Sequence, residues 1–269
     1  MIRKTLPMTQ LATYSIDLPD SNYRGKPSPA GTGFFVSPDG WFITAAHVIT
    51  ENGRSDGPIR KDLDKTWLIS EKQLGMFSSG MCQGVESQYV DPTTDFALLK
   101  VDFPSNADRV HLKGRSEFPF IEISTRDLSE GEPVYSFGYP LPETKIIVNT
   151  PDLIVGHTAH SPRVTSAIVA STLERTSIIT SGADPKVYVL DKALNYGNSG
   201  GPILSTETGK VHAFCSRFQP VFIPQPHLQD REGRSLMIMI PSLYGIVSSF
   251  NNPTIIEQLR SRSIPISDL

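Results

Sequence analysis

Gly197-Asn198-Ser199-Gly200-Gly201-Pro202 decides how this chain is read. Glycines on both sides of one serine allow a sharp backbone turn and close approach by another chain. Such a loop offers a hydroxyl for nucleophilic attack. The N–H groups of Gly197 and Ser199 are then the donors expected to face a developing oxyanion. One such donor is worth about 2.7–4 kcal/mol. A serine hydroxyl is a weak nucleophile alone, so the reading needs a base and a residue to orient that base.

Both lie upstream. His47, in Ile43-Thr44-Ala45-Ala46-His47-Val48, is the candidate base. Asp95, in Thr94-Asp95-Phe96-Ala97-Leu98-Leu99-Lys100-Val101, is the candidate orienting group. Asp91 precedes Pro92 and reads as a turn residue, and Asp102 ends an apolar strand and reads as solvated. A serine in a glycine turn or a lone histidine is ordinary by itself; the three motifs together are specific. Because a base must be unprotonated, this arrangement predicts activity that falls in mild acid.

With its His, Asp, Ser order the chain resembles the trypsin-like (chymotrypsin-fold) serine peptidases, and within them the bacterial HtrA/Deg branch. Further stretches carry the likeness. They are Gly31 to Gly40, Gly131 to Pro140, Thr165 to Val169, Asp191 to Tyr196 and Leu236 to Ser242. The resemblance implies an all-β fold of two perpendicular six-stranded Greek-key barrels with a short C-terminal helical segment. Residues 1–128 would hold an N-terminal arm and the first barrel, with His47 and Asp95. Residues 129–269 would hold the second barrel, with Ser199, and the C-terminal helices.

The implied function is a serine endopeptidase working through an acyl-enzyme. Its catalytic residues are His47, Asp95 and Ser199, and its oxyanion donors are Gly197 and Ser199. The implied pocket walls are Ala193, Leu194, Asn195, Phe214, Cys215, Ser216, Met237 and Met239. Ala193 stands six residues before Ser199, where an aspartate would select Lys or Arg. With no carboxylate in that set, a buried cation would be unpaired, so small or medium apolar residues are the expected choice. Asn198 replaces the aspartate that pairs with a freed N-terminus in trypsin-type zymogens, and no such activation site precedes Gly31. Control is therefore expected from the loops 51–91 and 141–162, through substrate or an activating protein partner. No PDZ domain follows in this sequence, a departure from many HtrA-type proteases. A catalytically silent peptide-binding module is the alternative reading, and an esterase a third.

Composition sets the bounds. The 269 residues are 38% hydrophobic and 20% charged, with a formal net charge of −3, as in an ordinary globular chain. That balance argues against nucleic acid as partner, and no apolar run approaches the roughly 20 residues of a membrane span. Cys82 and Cys215 fall in different expected barrels and make no disulfide framework. Together with the lack of an apolar segment after the basic start, this leads to an expected cytoplasmic location. No cofactor or metal is expected. His157-x-x-His160 lacks further ligands at suitable spacing and reads as a solvated loop.

The strands expected are 33–36, 41–45, 67–70, 88–90, 96–101, 134–137, 146–148, 163–170, 177–181, 186–190, 203–205, 211–215 and 235–240. Pro119–Ile123 is expected to close the first unit. The first 30 residues read as an irregular arm with a strand near 11–18. Ser242 would cap a helix over 243–250, and Asn252-Pro253 would start another reaching about Arg260.

Overall fold

The computed structural model describes residues 2–20, 26–70, 79–82, 85–102, 115–141, 143–149, 154–174, 186–229, 233 and 235–267. Helix α1 (Ile2–Ala12) is followed by β1 (Thr13–Asp20), β2 (Lys26–Phe35), β3 (Trp41–Ala45), β4 (Trp67–Ser70), β5 (Ser79–Cys82), β6 (Val85–Asp91) and β7 (Phe96–Val101). These strands form one sheet, ordered β5-β4-β1-β2-β3-β7-β6. It has seven strands rather than six, and no pairing closes it among the described residues. β3 and β7 lie side by side, Trp41 opposite Lys100 through Ala45 opposite Phe96. Apart from Thr44 and Lys100 their side chains are apolar, and nearly all are buried, so neither strand shows a polar alternation.

The second unit contains β8 (Ile123–Ser124), β9 (Pro133–Gly138), β10 (Glu143–Asn149), β11 (Ile154–Ala159), β12 (Arg163–Glu174), β13 (Lys186–Leu190), β14 (Pro202–Ser205), β15 (Val211–Gln229), β16 (Ser235–Ser249), α2 (Pro253–Ser261) and β17 (Ile266–Ser267). The run β14-β9-β12-β13-β16-β15 closes through a β14–β15 pairing into a six-stranded barrel. β10 and β11 form a separate two-stranded ribbon. Along β12 the alternation is clear: Ala167 and Val169 are buried while Ser166, Ile168 and Ala170 face solvent. The larger core runs across both units, from Phe34, Phe42 and Phe96 to Tyr135, Phe214 and Phe250.

Several elements differ from the sequence reading. Residues 2–12 are helical despite Pro7. Thr5 and Thr9 hydrogen-bond the Tyr135 hydroxyl at 2.7 and 3.2 Å, and Ile2 and Leu6 pack on the core. Tertiary contacts thus outweigh the proline. Of the helix expected over 243–250, residues 243–249 belong to β16 instead, because Gly245–Ser248 pair with β13 on one side and β15 on the other. Ile123 does not end the first sheet; it pairs in parallel with Val211 and Ile266 of the second. The strand expected at 177–181 lies outside the described residues.

α2 forms as its sequence directs. The Asn252 side chain accepts from the N–H groups of Thr254 at 2.9 Å and Ile255 at 3.3 Å, and Pro253 opens the helix. Ile255 and Leu259 are fully buried. Asn252→Ala is expected to lower unfolding stability by about 1 kcal/mol, read as a reduced urea midpoint at unchanged slope.

Candidate active site

A 3-10 turn at 46–48 directly after β3 carries His47. Asp95 ends the turn between β6 and β7, in the left-handed region at φ 61°. The pairing of Ala45 with Phe96 brings the two residues together. His47 Nδ1 lies 2.8 Å from Asp95 Oδ2, and the His47 backbone N–H donates to Asp95 Oδ1 at 3.0 Å. Asp95 is buried, and Oδ2 also accepts from the Ser216 hydroxyl at 2.8 Å. An ionised carboxylate only accepts, so the imidazole proton sits on Nδ1 and Nε2 is left as a free base.

Ser199 comes from the opposite unit. Gly197 and Gly200 have φ 96° and 84°, conformations that only glycine adopts without strain. Gly200 N–H donates to Cys215 O at 2.7 Å and Gly201 N–H to Asn198 O at 2.7 Å. The N–H groups of Gly197 and Ser199 donate to no backbone carbonyl among the described residues. Thr32 braces the loop from the first unit. Its N–H donates to Ser199 O at 2.8 Å, and its hydroxyl to Gly197 O at 2.6 Å.

His47, Asp95 and Ser199 line one cleft of about 900 Å³. Leu194, Asn195, Tyr196, Cys215 and Ser216 line one wall; Leu18, Pro19, Pro29 and Ala30 line the other. Of the pocket residues read from the sequence, Leu194, Asn195, Cys215 and Ser216 are therefore gathered here. Ala193 is half-buried beside them and does not line the cleft. Phe214 is fully buried in the core, its ring 5.8 Å from Phe96 and 5.5 Å from Phe250. Strand alternation turns it away from the face that Cys215 borders. Met237 and Met239 pair with Pro224 and Phe222, far along the hairpin from Val247, the residue opposite Cys215.

Sequence reasoning missed Gly245. A Cβ there would lie 2.8 Å from Lys192 O and 3.2 Å from the Leu194 side chain, so this glycine packs against the pocket wall. Its signal was a lone glycine within an apolar strand, which marks close backbone approach. Thr32 and Tyr196 were also missed, as was the bond from Ser216 to Asp95. His160 is not in a solvated loop. It is buried, with Nε2 3.0 Å from both carboxylate oxygens of Asp17. Burial, and then the Asp95 charge, push the Cys215 thiol up, so it stays protonated beside the cleft.

The family described as a trypsin-like peptidase domain matches residues 31–213. The serine protease HTRA1B of Danio rerio is 26% identical over 253 residues, covering 89% of this chain and 43% of that protein. The serine protease HTRA1 of Xenopus tropicalis is 31% identical over 186 residues, covering 68% of this chain and 30% of that protein. This chain thus spans less than half the length of these curated relatives. The active form of the Rv3671c protease from M. tuberculosis superposes with a TM-score of 0.57 at 16% identity, covering 98% of this chain and 86% of that one. The HtrA-type protease AlgW with tripeptide superposes at 0.56 and 15% identity, covering 97% and 63%. At these identities the structural likeness concerns the fold.

The serine loop generates a sharp expectation. A Cβ at Gly200 would lie 2.2 Å from the Thr44 hydroxyl and 2.3 Å from Thr32 O, at a φ already unfavourable for alanine. Gly200→Ala is expected to lose more than about 2 kcal/mol of stability from left-handed strain and overpacking, measured by chemical denaturation.

Proposed function

Because the chain belongs to the trypsin-like peptidase domain family, we propose that it is a serine endopeptidase acting on peptide or protein substrates. Ser199 Oγ attacks the scissile carbonyl while His47 Nε2 takes its proton. The oxyanion is met by the N–H groups of Gly197 and Ser199. His47 then gives the proton to the leaving amine, and the acyl group remains on Ser199. Water, activated by the same histidine, releases it. Asp95 holds the imidazole through the 2.8 Å contact at Nδ1 and stabilises its cation. Ser216 and the His47 N–H in turn fix Asp95. The observation that carries this reading is that contact, opening on a cleft that Ser199 also lines.

Leu194 and Gly245 set the proposed preference for the residue that enters the pocket. The Leu194 side chain is buried where it meets Gly245, so it fills space that a large side chain would need. Small apolar residues fit best, and a cation there finds no carboxylate among the gathered pocket residues.

Ser199→Ala is expected to reduce kcat by about 10⁶-fold without altering unfolding. Its counterpart in the wild type is covalent labelling of Ser199 by a fluorophosphonate. Wild-type cleavage rates in the variant overturn the mechanism, and a wild type that binds peptide without labelling makes the chain a silent binding module. Leu194→Ala is expected to shift a cleavage-site profile toward Leu, Met and Phe by about 10-fold or more. A wild-type profile dominated by Lys and Arg overturns the pocket assignment.

A further inference from the structure

Asp17 and His160 are 143 residues apart and come from different units. Both side chains are only 2% exposed. His160 Nε2 lies 3.0 Å from each oxygen of the Asp17 carboxylate, and Ser15 Oγ donates to Oδ1 at 2.8 Å. With Nε2 facing the carboxylate, the other ring nitrogen is buried and has no hydrogen-bond partner among the described residues. An apolar pair of similar volume would join two units at least as firmly. A directional pair instead fixes one separation and one orientation, and its position explains the need.

Asp17 sits at a bulge. Ile16 pairs with Gly31 and Asp17 with Pro29, leaving Ala30 as the extra residue. Such a bulge re-aims the side chains around it. Leu18, Pro19, Pro29 and Ala30, the neighbours of Asp17, belong to the first unit's wall of the cleft. On the other side, the His160 ring meets Tyr139 edge to face at 6.3 Å. Two residues on, Leu141 N–H donates to Tyr196 O at 2.7 Å. Tyr196, 66% exposed, belongs to the second unit's wall. The pair therefore ties one wall of the cleft to the other. The two ends of the β10–β11 ribbon meet at this tie, one through Leu141 and one through His160.

We propose that Asp17 and His160 are a positioning pair, a clamp that holds the two walls of the cleft at the separation an extended polypeptide requires. The proposal rests on the peptidase reading above. Neither residue touches the reacting atoms. Their effect falls on substrates that contact both walls, and not on a small reagent that needs only Ser199 and its oxyanion donors.

The test uses Asp17→Asn, His160→Gln and the double variant, in the full chain. KM and kcat are measured on an extended peptide that spans both sides of the cleavage point, beside the rate of fluorophosphonate labelling and the unfolding midpoint. Each single variant is expected to raise KM about tenfold, with kcat changed less than about twofold and labelling at the wild-type rate. The double variant, which substitutes an amide–amide hydrogen bond, is expected to recover part of the lost KM. If a single variant fails to fold, the double variant decides by the same split between peptide and label. Unchanged KM in folded variants overturns the clamp. So does a parallel fall in peptide cleavage, labelling and midpoint, which marks a purely structural role. A wild type that does not label removes the peptidase reading, and the clamp with it.

Discussion

Thr32 is the residue on which the arrangement of the site depends. It stands on β2 in the first unit, yet it holds the serine loop of the second at two points, Ser199 O and Gly197 O. Its own carbonyl accepts from Thr44 at 2.8 Å, one turn from His47, and its hydroxyl accepts from Tyr139 N–H at 3.2 Å. One side chain and one peptide unit thus tie together the strand that leads to His47, the loop that bears Ser199 and the strand end that roots the ribbon. Thr32, Thr44, Tyr139 and Gly197 are buried, so losing a bond among them strands a polar partner at about 1–3 kcal/mol. The site cannot form in either unit alone.

The glycines around Thr32 follow from the same closeness. A Cβ at Gly31 would lie 2.9 Å from Ser199 O, and one at Gly138 would lie 2.6 Å from the Asn198 side chain. The glycine-rich sequences that mark the serine loop, the first hairpin and β9 therefore reflect one packing problem. Three backbone segments meet closely around the Thr32 side chain.

What was legible in the sequence is what local chemistry decides. The limits of β4, β7 and β13 follow from β-type apolar runs between turn residues, and α2 follows from its asparagine cap and proline. The Ser199 loop was legible because its turn needs glycine: Gly197 and Gly200 hold φ 96° and 84°. What was not legible depends on partners distant in the chain. α1 forms against Tyr135, and residues 243–249 extend because β13 and β15 flank them. The resemblance puts the pocket strand at Met237 and Met239, whereas register with Cys215 brings Gly245 to Val247 beside it. The burial of His160 depends on Asp17, and no spacing rule joins residues that far apart.

The cleft borders two candidate nucleophiles, and electrostatics chooses between them. Cys215 is the more nucleophilic element, but a thiol attacks as its anion. Burial disfavours that anion first, and the nearby Asp95 charge disfavours it further. The same carboxylate has the opposite effect on the proposed serine route, where charge would appear as an imidazolium at His47, 2.8 Å from Asp95. In the proposed mechanism Ser199 need never carry a free charge, because its proton leaves for His47 Nε2 as the bond to carbon forms. One buried aspartate thus suppresses the sulfur and supports the hydroxyl, which is why a cysteine at the edge of the cleft is compatible with serine chemistry.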